Sequence, residues 1–263
     1  MMKQEALFKE ERRARILEIL EREQRVEVAD LAERFSVSED TVRRDLRDLG
    51  VQGLIRKTHG GAMRHIASAP PYEARLAQAS EVKMAIGRQA AELVEDGDSI
   101  IIDSGTTTLC LAQSLTVSRL RVLTNSLEIA RVFVERPEYE LIVLGGRYDP
   151  VHRELVGPAT VEQLARYRVD KLFMGMTALD RQNGVTDISE ADAALKRAMI
   201  QISQQVIGLA DHTKIGRVSF SWVAPASDID VLITDELADC SLFNGLGWRL
   251  IQVPAGIAAA EAR

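Results

Sequence analysis

The chain has little cysteine and no arrangement that would use it. Cys110 and Cys240 lie far apart, and there is no CxxC pair. That excludes a disulfide framework and a thiolate metal cluster, and it suggests a reducing cytoplasm. No apolar run approaches the roughly 20 residues of a membrane span. The start, Met1-Met2-Lys3-Gln4-Glu5, lacks the apolar core of a secretory leader. A cytoplasmic protein with no membrane partner is therefore expected. No glycine-rich loop ends in GK[ST], and no G-x-G-x-x-G occurs, so Walker-type and dinucleotide fingerprints are missing. His59, His65, His152 and His212 show no metal-ligand spacing, and neither a metal nor a cofactor is expected. There is no internal repeat and no low-complexity tract.

What is present is an ordinary globular composition over 263 residues, 46% hydrophobic and 27% charged, enough for one large or two ordinary domains. The net charge of −6 argues against a protein that is basic all over. The distribution says more. Residues 1–65 carry 14 basic and 13 acidic residues, while residues 41–64 alone hold six basic against two acidic. A compact basic segment on an acidic chain suits a docking face for a polyanion.

That segment begins in "VSEDTVRRDLRDL", residues 37–49. Ahead of it, Ile16, Leu17 and Leu20 fall on one side of a helix, and residues 29–35 read as a second, short helix. Ser36-Val37-Ser38 reads as a tight turn, with Ser38 as an N-cap and Glu39 and Asp40 in the first turn of a third helix. At about 100° per residue, Val42, Leu46 and Leu49 form one apolar stripe. Asp40, Arg43, Arg44 and Arg47 fall opposite. A solvated face with ion pairs accounts for Arg44, which reaches Asp40 and Asp48 at i±4. It leaves Arg43 and Arg47 as a like-charge i,i+4 pair that a polyanion would relieve. The helix is expected to stop at Gly50. Next, "LIRKTHGGA" reads as a hairpin in which Gly60 and Gly61 permit a turn with positive φ. The order helix, turn, helix, basic hairpin is that of a winged helix-turn-helix, whose second helix enters the major groove. Asp45 reads as a tether to the neighbouring helix.

Residues 65–72, "HIASAPPY", read as a linker. Beyond it, buried strands at 99–102, 120–123, 141–144, 206–209 and 231–233 alternate with helices at 83–95, 106–115, 126–135, 159–166 and 190–204. That pattern predicts a mostly parallel α/β sheet. "DSGTTT", 103–108, follows one such strand and opens a helix. Backbone amides and hydroxyls there suit a phosphate, although an ordinary turn capped by Ser104 or Thr106 explains it equally well. "LTNSLEIA" and "LGGRYDP" also follow strands, where open parallel sheets bind ligands. In "ADHTKIG", Lys214 is either a solvated surface cation or a phosphate partner. Residues 217–229 carry nothing assignable.

The stretch "VEVADLAERFSVSEDTVRRDLRDLGVQGLIRKTHGGA", with VS-x-x-T-[IV]-R-R-D-L and R-x-x-HGGA, resembles the DeoR-type helix-turn-helix of bacterial sugar-metabolism repressors. From about residue 73 to 235, the order D-SGTTT, TNS, GG, K-x-x-M-I (196–200) and D-x-[ST]-K is similar to the same family. The resemblance implies a winged helix-turn-helix at 8–63, a linker at 64–74, and at 75–256 a sugar-phosphate-sensing and oligomerisation domain. That α/β sensor would resemble ribose-5-phosphate isomerase and CoA-transferase-like folds. Ser38, Thr41, Arg43, Arg44, Arg47, Arg56, Lys57 and His59 would face double-stranded operator DNA. Asp103, Gly105, Thr106, Thr107, Thr124, Asn125, Gly146, Asp211, Lys214 and, more weakly, Glu190 would contact a phosphorylated sugar. Two half-sites on DNA imply a homodimer or homotetramer. Within 152–161, "HRELVGPATV" keeps only the Gly-Pro-Ala core of its family segment, at a place suited to setting sugar specificity.

A rival reading is a sugar-phosphate isomerase fused to the helix-turn-helix. Isomerases of this fold carry an Asp-Gly-Ala-Asp-Glu-like segment and a Lys-Gly-rich loop. At the comparable place "GMTALDRQNG", 175–184, offers no carboxylate in its first five residues. The expectation is a binder and not an enzyme. A DNA-binding protein without a ligand would leave the lysine and hydroxyl loops unexplained.

Overall fold

A computed structural model describes residues 9–23, 25–51, 55–58, 60–64, 72–78 and 80–255. The chain forms two compact units, residues 1–68 and 69–263. In the first, α1 (Lys9–Glu23) leads into β1 (Arg25–Glu27), α2 (Val28–Phe35), α3 (Glu39–Val51), β2 (Ile55–Lys57) and β3 (Gly61–Arg64). The three strands make an antiparallel sheet in the order β1-β3-β2. The apolar stripe of α3 is where its periodicity puts it: Val42, Leu46 and Leu49 are buried with Ile16 and Leu20 of α1 and Leu31 of α2.

Local chemistry explains the joints. Ser36 closes α2 in the left-handed region, φ 52°, and its N–H bonds Glu33 O while Val37 N–H bonds Ala32 O. Ser38 Oγ accepts from Thr41 N at 3.2 Å and so caps α3. Two expectations need correcting. The α3 helix does not stop at Gly50 but includes it and ends at Val51. Neither Gly60 nor Gly61 has positive φ. Gly61 is required for a different reason: a Cβ there would stand 1.9 Å from Val26 O, because β3 passes against β1.

A cluster of ion pairs centred on one buried acid ties α3 to α1. Asp45, 1% exposed, accepts from Arg12 Nε at 2.6 Å and Arg13 Nε at 3.3 Å, and Arg13 also reaches Asp48.

The second unit begins with α4 (Tyr72–Ala77) and α5 (Ser80–Ala91), then β4 (Ser99–Ile102), α6 (Thr106–Ser114), β5 (Leu120–Thr124), α7 (Leu127–Phe133) and β6 (Tyr139–Val143). A ribbon follows, β7 (Arg147–Asp149) with β8 (Glu154–Val156), then α8 (Pro158–Leu164) and β9 (Val169–Gly175). Next come β10 (Ala178–Asp180), β11 (Gly184–Asp187), α9 (Glu190–Ile202), β12 (Ser203–Leu209), β13 (Ser221–Ala224), β14 (Val231–Asp235) and β15 (Arg249–Val253). Seven strands form an all-parallel sheet in the order β15-β14-β12-β9-β4-β5-β6. A small antiparallel sheet, β10-β11-β13, lies outside it.

Alternation along the strands explains the layers. Ile100 and Ile102 pack with Ile86, Leu111, Ile129 and Phe133 from α5, α6 and α7. Ile101, with Leu172 and Met174, packs with Leu164, Leu195 and Met199 from α8 and α9. Each fully buried aliphatic chain of this kind stabilises the fold by roughly 1.5–3 kcal/mol.

The sequence reading left out β9, which is the central strand between β4 and β12, and also the edge strand β15. It left residues 217–229 unassigned, yet Ser221–Ala224 pairs with β11. From β4 the chain moves outward through β5 to β6, then returns to β9 and moves the other way through β12, β14 and β15. The reversal falls between β4 and β9, and open parallel sheets bind ligands at such a switch point.

Replacing Asp45 with Ala removes the buried carboxylate that Arg12 and Arg13 share. We expect Asp45→Ala to destabilise the first unit by about 3 kcal/mol. Denaturant unfolding followed by circular dichroism reads this, and a change below about 1 kcal/mol would contradict it.

Candidate functional site

Two surfaces carry the chemistry. On the first unit, α3 presents Arg43, Arg44 and Arg47 to solvent. Arg43 pairs with Glu39 at 2.6 Å and Arg44 with Asp40 at 3.6 Å, each one turn back along the helix. The repulsion between Arg43 and Arg47 is thus eased within the helix itself. Arg47 makes no ion pair among the described residues. Arg43, Arg47 and Leu46 line a concavity of about 230 Å³ with Thr58, Gly60 and Gly61 of the wing. Recognition helix and wing therefore share one basic groove. Ser38 and Thr41 are at the start of α3 with their hydroxyls 2.9 Å apart. The backbone of Arg56 and Lys57 is in β2, and His59 lies outside the described residues.

On the second unit, the site forms at the carboxyl end of β4, beside β9. Asp103 follows β4 and is fully buried; its Oδ2 accepts from Gly175 N at 3.1 Å, across the switch point. Gly175 is small because a Cβ would approach Ser104 O to 3.1 Å. Ser104 N donates to Asn125 Oδ1 at 3.2 Å, and Ser104 Oγ donates to Glu154 on β8. Asn125 O in turn accepts from Leu155 N at 2.7 Å.

Lys196, on the second turn of α9, organises the rest. Its ammonium is 2.8 Å from Asp187, 2.9 Å from Asp192 and 3.7 Å from Asp103. All four side chains are buried. Ser189 caps α9 by accepting from Asp192 N, so the helix start is fixed where Asp192 faces Lys196 at i,i+4.

One ammonium among four acids sets the protonation. Burial opposes the charge on Lys196, but Asp187, Asp192 and Asp103 outweigh it and hold its pKa well above the ordinary lysine value. Burial likewise opposes charge on Asp187, yet the pull of Lys196 and hydrogen bonds from Ser189 N and Thr177 bring it down to about 2. Asp103 and Glu154 go the other way. Burial pushes each up to about 7, against the pull of Lys196 on Asp103 and of Ser104 on Glu154. Asp192 is also raised well above the ordinary carboxylate range by burial. The site thus holds an Asp187–Lys196 ion pair beside carboxyl groups that keep a proton near neutrality.

Several polar atoms here have no protein partner: Asp103 Oδ1, Asn125 Nδ2, Glu154 Oε1 and Asp192 Oδ1. Buried polar atoms are nearly always bonded, so these orphans on residues linked through Ser104 or Lys196 suit a site for a polar ligand. Protonated carboxyls both donate and accept, which matches the hydroxyls of a sugar.

The remaining sequence candidates divide. Gly105 starts α6 with φ 145°, and Thr106 and Thr107 are buried in the first turn of that helix. Thr124 is buried at the end of β5, its Oγ1 accepting from Ser126 N. Gly146 stands against α8, where a Cβ would meet Thr160 Oγ1 at 2.0 Å. Asp211 is buried after β12 and bonds Thr213 N at 3.0 Å. Lys214 follows it, half-buried. Lys83 of α5 is a neighbour: burial first, and then the charge of Lys214, lower its pKa against the opposing pull of Asp211. Glu190 is exposed at the start of α9, whereas its neighbour Asp192 is the residue turned to Lys196. Sequence reasoning missed Asp187, Asp192 and Lys83, left Glu154 out of the candidate set and gave Lys196 no role at the site. An Asp192–Lys196 spacing was readable as a helix ion pair; only the packing of α9 on the sheet shows that it is buried.

The DeoR-like helix-turn-helix model matches residues 12–65, and the DeoR C-terminal sensor model matches residues 78–236. The chain is 39% identical over 250 residues to the transcriptional repressor GlcR of Bacillus subtilis, covering 93% of this chain and 96% of that one. It is 34% identical to the transcriptional repressor AccR of Agrobacterium fabrum, over 86% of this chain and 89% of that one. It is 32% identical to the glycerol-3-phosphate regulon repressor of Escherichia coli, over 90% and 95%. The protein belongs to the DeoR family of helix-turn-helix transcriptional regulators. Partial structural similarities include ribose 5-phosphate isomerase from Methanocaldococcus jannaschii, 16% identical, TM-score 0.38, over 52% of this chain and 54% of that one. Another is the probable sor operon regulator of Shigella flexneri, 11% identical, TM-score 0.41, over 61% and 88%.

The raised carboxyl of Asp103 gives a signed expectation. The native state keeps this proton through a pH range in which the unfolded chain has lost it. Its contribution to stability therefore falls as pH rises from about 4 to about 7. Asp103→Asn has no such loss, so its stability relative to the wild type should increase between pH 5 and pH 8 in thermal melts. A pH-independent difference would contradict a buried titrating acid.

Proposed function

We propose that this protein is a cytoplasmic repressor of a carbohydrate-catabolism operon, released from operator DNA by a phosphorylated sugar. The observation that carries the ligand half is the set of unpartnered polar atoms on Asp103, Asn125, Glu154 and Asp192, residues linked through Ser104 or Lys196 beside the switch point of the sheet. Hydroxyls of the sugar would meet Asp103, Asn125, Glu154 and Asp192. Its phosphate would meet the α6 amides and the cations of Lys214 and Lys83. Glu190 would stand outside this set.

The groove between α3 and the wing supports the DNA half. Arg47 would contact a base edge, and Arg43 and Arg44 would exchange Glu39 and Asp40 for the nucleic acid. Ser38, Thr41, Arg56, Lys57 and His59 would serve the phosphate backbone. A homodimer or homotetramer would carry two recognition helices to two half-sites.

The loop between β7 and β8 offers a route from ligand to DNA domain. Glu154 bonds Ser104 at the site. Its neighbour Arg153 bonds Glu128 at 3.0 Å and also Glu73 of α4, and Val151 O accepts from Tyr72 N at 3.2 Å. A ligand that moved Glu154 would act on α4, the first described helix after residue 68. The ligand must favour the DNA-incompetent arrangement for release to follow.

The relatives are named as transcriptional repressors, which supports a regulator over an enzyme.

Two measurements test the reading. Arg47→Ala should weaken specific operator binding by about 1–3 kcal/mol in a fluorescence-anisotropy titration, leaving nonspecific binding largely intact. Unchanged affinity in a folded variant would remove Arg47 from the interface. Lys214→Ala should bind operator normally yet resist release by sugar phosphate. Release at the wild-type effector concentration would show that Lys214 does not hold the phosphate.

A further inference from the structure

Residues 149–154, "DPVHRE", span the end of β7, the turn and the start of β8. His152 has no metal-ligand spacing along the chain, but folding of the ribbon changes its company. One donor atom each from Asp149, His152 and Glu154 lie within 4.8 Å of one another. Asp149 Oδ1 accepts from the N–H groups of Val151 and His152, and Oδ2 is 3.5 Å from His152 Nδ1. That nitrogen is buried and has no hydrogen-bond partner. Glu154 is 1% exposed, and its Oε1 is also buried and unpartnered. Its other oxygen is fixed by Ser104.

Two carboxyl groups and an imidazole nitrogen at this spacing offer three donors to a cation, which would displace the proton of Glu154, and among the described residues no lysine or arginine bonds them directly. Arg153 is adjacent in sequence, but its guanidinium is engaged by Glu73 and Glu128. The hydrogen bonds of Lys196 go to Asp187 and Asp192.

We propose that Asp149, His152 and Glu154 form a binding site for a divalent transition-metal cation of the zinc type. The donor set selects the class. One imidazole with two carboxylates suits zinc or manganese, whereas magnesium and calcium prefer all-oxygen shells. A dication would occupy both orphan atoms and offset the two acids. Three protein ligands leave a coordination position for water or for an oxygen of a bound molecule. Asp149 and His152 side chains are 20% and 18% exposed, so an ion can enter from solvent. The site shares Glu154 with the proposed sugar contacts, so with metal bound its open coordination position would take a sugar oxygen in place of the direct Glu154 contact, and it would brace the loop that joins Glu154 to α4.

The test uses the full chain, stripped with a chelator and dialysed against zinc, with magnesium as control. Metal content is read by mass spectrometry and stability by thermal shift. One zinc per chain and a raised melting temperature are expected with zinc and not with magnesium. His152→Ala and Asp149→Asn should each weaken zinc binding at least ~10-fold, and His152→Cys should retain it, since a thiolate also ligates zinc. Circular dichroism of the metal-free variants checks the fold. Absence of stoichiometric zinc in the wild type, or equal zinc in His152→Ala, would overturn the proposal and assign the gap to a water or a proton.

Discussion

The sensing unit depends on one buried cation. Lys196 reaches the sheet from α9 and holds Asp187 and Asp192 directly, with Asp103 just beyond. Those residues come from β11, α9 and the end of β4, so a single ammonium ties together elements far apart in the chain. An unpaired charge in this position would be strongly destabilising. The pairing leaves an excess of acid, and burial turns that excess into carboxyls that keep their protons near neutrality. Polar atoms on Asp103, Asp192, Asn125 and Glu154 are left without a hydrogen-bond partner among the described residues. Structure and binding chemistry have the same origin here.

The DNA-binding unit was legible in the sequence to the level of individual helices. Its signals are local: an N-cap at Ser38, an apolar stripe at Val42, Leu46 and Leu49, and a basic hairpin. The tether role of Asp45 was also readable, because it shares a helix with the arginines yet sits towards the apolar side. The two glycines of the wing were misjudged, since a close approach of β3 to β1 leaves no trace in the local sequence. The parallel sheet was legible from alternation of strands and helices, but its middle was not. "VDKLFMG" carries two charges and a glycine, and its place between β4 and β12 is set by long-range pairing.

The candidate site was half legible for the same reason. Loops that follow strands, such as Asp103–Thr107 and Thr124–Asn125, announce themselves. Acids and lysines inside helices and ribbons do not, because charged residues usually face water. Glu154 lies in the segment suited to setting sugar specificity but with no role of its own there, and the β7–β8 ribbon folds it against Ser104. Glu190, a weaker candidate from the family resemblance, is exposed at the start of α9, while Asp192 pairs with Lys196.

The central claim is that the Lys196 cluster and the nearby lysines form one site for a phosphorylated sugar. A ligand that binds only the native state raises its melting temperature. The most direct measurement is a thermal-shift screen of the purified protein against sugar phosphates and the same sugars without phosphate. Stabilisation by one phosphosugar, lost when its phosphate is removed, is the predicted result. Equal stabilisation by the free sugar, or no shift from any member of the panel, would contradict it.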